Sequence, residues 1–405
     1  MKRGRRFRVT KGPVSVIMAR TMNFSSIVKL RIKKLVAGGS ALAFHEGKAV
    51  FVPFALPGEL VSATIAAEKR DFAQAELLDV LEPSEHRVVP PCPVYRECGG
   101  CNLQHLAYPR QVEAKVDIVA ESFARTARLD AGAIPSVPSL PFAYRNRVQF
   151  HFTPEGRIGF MRRGSSAIVE APTCPIALRP IQAWIEERAG SSRGREELDR
   201  YVAGKDRFLA FGYGDEVWIE GEKGQVEVLV AGEPIRFHVK GFFQSNLYLL
   251  DRFVPDVLAG LSGDRVADLY AGVGLFGQHL AKLFRSVTCV EHNPFSLELA
   301  KANVVAAEAS FHAMSAEDWV ASDSAKLAYD CVLVDPPRTG LSPQVRAWII
   351  RSRVPTLVYV SCDPVTLARD SGELSRSGYR LESIKAFDFY PQTGHVECHA
   401  RFMLA

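Results

Sequence analysis

Hydrophobic and polar positions change their period twice along this chain. Over residues 26–82 short apolar runs alternate with polar residues: IVKLRIKKLV, KAVFVPFAL, ELVSATIAAEK and FAQAELLDVL, broken at Gly38-Gly39, Gly47, Pro53 and Pro57-Gly58. Two-residue alternation punctuated by turn residues predicts a small five-stranded β-barrel. Over residues 141–169 the alternation returns, with Tyr144, Phe150 and Phe160 interleaved with Arg145, Arg147, Arg162 and Arg163. That pattern suits either a β-surface for nucleic acid or half-buried strands with their polar side outward. From Gly241 onward apolar strand-like runs alternate with helix-period segments: YLLDRFVPDVLAGL, RVADLYAGVGLFG, SVTCVEHNPFSLELAKANV, DCVLVDPPRTGL and PTLVYVSCDP. Such a succession predicts a doubly wound α/β domain, in which ligands bind at the carboxyl ends of the strands.

These changes divide the chain into a basic tail (residues 1–25), a barrel (26–85), a central β-rich domain (86–240) and an α/β domain (241–405). With 405 residues, 47% of them hydrophobic, there is material for several cores, and no apolar run reaches the length of a membrane span. The apolar piece at 14–19 is too short for a secretory signal, so a cytoplasmic, monomeric protein is expected. Net charge is +5, yet residues 1–45 hold eleven Lys and Arg and no Asp or Glu. The positive charge is therefore local to the N-terminus, as for a module that touches a polyanion.

Three places carry candidate chemistry. In YVSCDPVTLARD an apolar run ends at Cys362, and Asp363-Pro364 then starts a helix, Asp363 as its cap. A thiol at a strand's carboxyl end is placed to act as a nucleophile, or it merely fills space. Cys92, Cys98 and Cys101 crowd into ten residues around Gly99-Gly100, and Cys174 shares the Cys-Pro turn of Cys92. Four thiolates suit a zinc ion or an iron–sulfur cluster. Lastly, Gly272-Val-Gly274-Leu-Phe-Gly277 follows a strand, and Glu291 ends the next one. This fingerprint serves dinucleotides and S-adenosylmethionine alike, because both need close backbone approach and an acid for the ribose hydroxyls. Asp268, just before the loop, favours the methyl donor, since a carboxylate there suits a cationic methionine moiety and opposes a pyrophosphate.

Taken together, the four cysteines, GFFQSN, DLYAGVGLFG, VEHNPFSLELAKAN, DPPRTGL, YVSCDPVTLARD and YPQTGHVE resemble the bacterial RNA uracil-5-methyltransferases. The likeness is to the branch with an N-terminal TRAM module, an OB-like barrel, and a 4Fe-4S cluster. The resemblance implies a Rossmann-like methyltransferase domain behind that barrel and a central iron–sulfur domain. It implies Cys92, Cys98, Cys101 and Cys174 as cluster ligands and Lys29, Arg31, Lys33, Lys34, Lys69 and Arg70 as phosphate contacts. Gln244, Tyr270, Gly272, Gly274, Glu291 and Asp335 would hold S-adenosylmethionine or the base edge. Cys362 would be the nucleophile and Glu397 the base. The expected substrate is 23S rRNA, with the T-loop of tRNA as the alternative and a Rossmann oxidoreductase as the competing class. Two departures stand out: Asp363 replaces the family's Asn, a change that either raises the pKa of Cys362 or only caps the helix. Residues 312–318, HAMSAED, lack the usual polar cofactor contact.

Overall fold

In the computed structural model, residues 27–190, 193–202, 204–222 and 224–405 are described, and the basic tail expected at 1–25 lies outside them. The α/β half is built on an eight-stranded sheet. From one edge its order is Glu308–His312, Phe284–Val290, Gly263–Leu269, Cys331–Val334, Thr356–Ser361, Glu397–Leu404, Tyr379–Phe387 and Ser136–Val137. The first five strands run parallel, and Glu397–Leu404 is antiparallel to both its neighbours. The central strands are covered on both faces, which is why they read as unbroken apolar runs such as CVLV and TLVYV. One face packs on Leu250, Phe253 and Val257, the other on Trp319, Trp348 and Leu367. Strand order reverses between Gly263–Leu269 and Cys331–Val334, so a crevice opens where those two strands end.

Short polar residues start the helices on this sheet. Asn246, Asn293, Ser342 and Asp363 each accept from a backbone amide in the first turn of the helix that follows. Asp370, in the helix Pro364–Arg376, is fully buried and accepts from the Leu341 amide (2.8 Å), the Tyr359 hydroxyl (2.8 Å) and the Arg346 and Arg369 guanidinium groups (3.1 and 2.8 Å). It ties the loop after Cys331–Val334 to the helix after Cys362.

The N-terminal segment forms one mixed sheet of six strands where five were expected. The run IVKLRIKKLV divides into Ile27–Arg31 and Lys34–Leu35 because the Ile32 amide bonds Glu59 while the Lys33 amide bonds Leu42. The chain changes partner there and one strand becomes two. A second, five-stranded sheet contains Arg147–Phe152 and Arg207–Tyr213 at its centre. Of the two readings left open for 141–169, burial favours the half-buried strands: Tyr144 is 1% exposed and Phe150 is 0% exposed, and Phe160 packs against Phe150. The alternation at 141–169 is that of half-buried strands, with the rings turned into the core.

Helix Tyr108–Ser122 joins the halves. Ile118 packs in the N-terminal core and Val119 in the α/β core. Its Lys115 ammonium pairs with the Asp388 carboxylate at 2.5 Å, both side chains 2% exposed.

Removing one member of a buried ion network leaves its partners unpaired at a cost of roughly 3–5 kcal/mol. Asp370→Ala should sit at the lower end, about 3 kcal/mol by urea unfolding, because Arg369 is half in solvent. A loss under about 0.5 kcal/mol, the size of an ordinary surface substitution, would remove Asp370 from its place as an anchor.

Candidate active site

A cleft of about 1050 Å³ opens at the carboxyl ends of the parallel strands. Gln244, Tyr270, Gly272, Glu291, Asp335, Cys362 and Glu397 all line it, so seven residues drawn from 154 positions of sequence meet in one cavity. Gly274 does not.

On the donor side, the loop after Gly263–Leu269 is shaped by left-handed backbone. Tyr270 (φ 69°) adopts it without being glycine, a strained state that persists only where surroundings enforce it. Gly272 (φ 56°) faces open space, so a ligand can approach its backbone closely. Its amide donates to Glu291 Oε2 at 3.0 Å, and the Asn293 amide donates to Oε1 at 2.8 Å. The carboxylate is thereby fixed in orientation, with lone pairs left for hydroxyl groups. Gly274 (φ 81°) serves packing: a Cβ there would lie 2.7 Å from Val304 Cγ2 and 3.1 Å from Ala300. It lets the helix Leu275–Leu280 settle on Pro294–Asn303. Asp268 also differs from expectation. It is 1% exposed and outside the cleft lining, and neither carboxyl oxygen has a hydrogen-bond partner. Burial, then the Asp335 charge, push its pKa well above the carboxylate range. It is a core acid under the glycine turn and does not face a cationic ligand.

The opposite side of the cleft crowds acids together. Burial pushes Asp335 up to about 7. Burial, then the charge of Asp335, push Glu397 well above its ordinary range, while Arg338 opposes. Cys362 is half-buried, and its thiol rises to about 11 through burial, then the charges of Glu397 and Asp335, again against Arg338. Like charges in one dry pocket cannot all form, so the group retains protons at neutral pH. Such a set supplies a nucleophile, a proton acceptor of raised basicity and one cation to moderate both.

Asp363 takes no part in this. Its Oδ1 accepts from the Val365 and Thr366 amides, each at 2.9 Å, and the acids that raise the thiol are Glu397 and Asp335. The lining also includes residues given no role from the sequence, among them Arg338, Tyr390 and His395. All three stand within the motifs DPPRTGL and YPQTGHVE, so a signal existed. Burial, then the charges of Arg338, Lys115 and Arg145, hold His395 down at about 4, hence neutral.

Cys92, Cys98, Cys101 and Cys174 line a second cavity of about 550 Å³. Cys101 is raised to about 12 and Cys174 to about 11, first by burial; the charges of the other three cysteines add for Cys101, and those of Cys98 and Cys92 for Cys174. Among the described residues, no group of three or more His, Cys, Asp or Glu side chains is arranged to hold a metal ion.

A family model described as tRNA (Uracil-5-)-methyltransferase matches residues 236–403. An uncharacterized RNA methyltransferase of Treponema denticola is 32% identical over 91% of this chain and 97% of its own length. The 23S rRNA (uracil(1939)-C(5))-methyltransferase RlmD of Shewanella amazonensis is 32% identical over 94% and 96%. The chain belongs to the RNA uracil-5-methyltransferases. The crystal structure of the Pyrococcus abyssi tRNA (uracil-54, C5)-methyltransferase with S-adenosyl-L-homocysteine superposes with a TM-score of 0.70 at 25% identity, covering 93% of this chain and 99% of that one. The family and its methyl donor are as the motifs implied, and the oxidoreductase alternative falls away.

For a uracil-5-methyltransferase built this way, pH acts through the thiol. Alkylation of the Cys362-containing peptide should rise about tenfold per pH unit from neutrality toward 11. Glu397→Gln removes a raising charge and should speed alkylation at fixed pH, whereas Arg338→Met should slow it. Identical profiles in all three proteins would dissolve the coupling.

Proposed function

We propose that this chain methylates carbon 5 of a uridine in 23S rRNA through a covalent adduct to Cys362. The observation that carries the reading is the meeting of Cys362, Asp335 and Glu397 in the same cleft as the open Gly272 turn and Glu291. Carbon 5 of uracil is a weak nucleophile. Addition of the Cys362 thiolate to carbon 6 moves the ring electrons into an enolate, which places density on carbon 5. Carbon 5 then takes the methyl group from the sulfonium, and the neutral thioether leaves. The ionised Glu397 removes the proton from carbon 5, the 5,6 double bond re-forms, and the Cys362 sulfur departs with its electron pair. Burial that raises the basicity of Glu397 makes it the better acceptor in that last step. Asp335 is placed to hydrogen-bond the base edge, and Gln244, Tyr270, Gly272 and Glu291 to hold the donor; Gly274 supports them by packing.

The front half fits RNA. Lys29 on the strand Ile27–Arg31, and Lys33, Lys69 and Arg70 in connections of the N-terminal module, read as TRAM-like over 26–85, are exposed and would contact phosphates. Arg31 and Lys34 pair with Glu82 and Glu121. Cys92, Cys98, Cys101 and Cys174 line one cavity and would hold a 4Fe-4S cluster, the group that the resemblance implies in place of zinc. The cluster would cross-link the central domain (86–240) to its own Cys174 segment, apart from the methyl-transfer domain (241–405). The choice of 23S rRNA over tRNA follows the activity for which the RlmD relatives are named.

Cys362→Ala should lose at least 1000-fold in methylation, on the order of what removal of a nucleophile costs, while S-adenosylmethionine binding by calorimetry stays near wild type. Glu397→Gln should accumulate a protein–RNA adduct on denaturing gels. Turnover by the alanine variant would remove the covalent route. In a deletion strain 5-methyluridine should vanish from one 23S position; loss from the tRNA T-loop would reassign the substrate. Protein purified without oxygen should be brown with broad visible absorbance, and a colourless protein with stoichiometric zinc would overturn the cluster.

A further inference from the structure

Glu397 is the first residue of its strand, and a nine-residue connection, 388–396, leads into it from Tyr379–Phe387. That connection lies over the cleft, with Tyr390 and His395 in the lining. Its own internal hydrogen bonds are few, and most of its polar groups are met by residues far back in the chain. The Gln392 amide donates to Gln111 Oε1 at 2.9 Å, and Gln111 Nε2 donates to Gln392 Oε1 at 2.9 Å. The Gln392 carbonyl accepts from the Asn102 and Leu103 amides at 3.0 and 2.9 Å. Lys115 Nζ donates to the Tyr390 carbonyl at 3.0 Å as well as to Asp388. Tyr144 donates its hydroxyl to the Pro391 carbonyl at 3.0 Å. Gln392 sits at φ 68°, a left-handed state costly for a side chain with a Cβ, so its surroundings hold it there. The N-terminal sheet touches the same segment: a Cβ on Gly394 would lie 2.4 Å from the Gly39 nitrogen.

We propose that Gln111 and Lys115 are positioning residues for the base Glu397, acting through the 388–396 connection. They belong to the half of the chain that precedes the methyltransferase domain, so that half completes the active site. The inference rests on the covalent reading given above. Proton removal from carbon 5 needs the carboxylate within hydrogen-bond reach, and a small displacement slows it severely. Addition of Cys362 and methyl transfer depend on other loops. A loosened connection relieves the thiol of part of the Glu397 charge, which does not slow adduct formation, so the step it slows is the resolution of the methylated adduct.

The test is single-turnover methylation of rRNA by the full-length protein, reading adduct formation and adduct decay separately on denaturing gels. Gln111→Leu keeps the volume of the side chain and removes both bonds to Gln392. Gly394→Ala loosens the same connection from the other side, by pushing it off the Gly38-Gly39 turn. Each should slow adduct decay by about tenfold or more, with formation rate and S-adenosylmethionine affinity within about twofold of wild type. RNA carrying deuterium at carbon 5 should then decay more slowly still, because proton removal has become limiting. Equal slowing of formation and decay, or unchanged decay, overturns the proposal. Glu397→Gln in the same assay separates the two readings. If it traps adduct and the Gln111 and Gly394 variants do not, the clamp is wrong and the base is right; if it traps none, the covalent reading itself fails.

Discussion

Three acids in one partly dry pocket cannot all be charged, and much of this architecture follows from that constraint. Cys362, Asp335 and Glu397 come from three separate strand ends; Glu397 and Asp335 raise the thiol's affinity for protons, and Asp335 raises that of Glu397. Arg338 alone among the cited neighbours works against the accumulation at both Cys362 and Glu397. The same crowding that makes the thiol reluctant to ionise makes Glu397 a strong proton acceptor. A site that must first add a thiolate and later remove a ring proton thus uses one electrostatic environment twice.

Rigidity is the companion requirement. The Cys331–Val334 and Thr356–Ser361 strands are held side by side in the sheet, and Asp370 locks the loop of one to the helix of the other through two guanidinium groups, a hydroxyl and an amide. The third strand end lacks such a local anchor. Its connection is instead fixed from outside by Gln111, Lys115, Asn102 and Tyr144, and by the close contact of Gly394 with Gly39. Nucleophile and base therefore belong to differently supported parts of one cleft, the first to the α/β domain alone and the second to the joint between halves.

Much was legible in the residues themselves. Unbroken apolar runs marked the buried parallel strands, and the strand–Gly-turn–helix succession marked where ligands bind, because a parallel sheet exposes its carboxyl ends in one place only. Asp363-Pro364 spelled out a helix start that the backbone amides of Val365 and Thr366 bear out. Where local pattern admitted two meanings it left the choice open. Tyr144 and Phe150 could face RNA or core with the same alternation, and only packing against Phe208 and the sheet's second face decided it. Asp268 and Gly274 sat in a ligand-binding motif yet serve the turn's interior.

What the sequence by itself determined is the chemistry available: a thiol, a base, a glycine turn, four clustered cysteines and the order in which strands and helices occur. These are properties of residue type and spacing, and they survive without coordinates. Only the tertiary structure decided which charges meet, since Glu397 and Asp335 are 62 positions apart and Lys115 and Asp388 are 273 apart. Proton affinity depends on burial and on neighbours in space, so no spacing rule could have said that Asp363 is a cap, that Glu397 raises the thiol, or that the front of the chain holds the base in place.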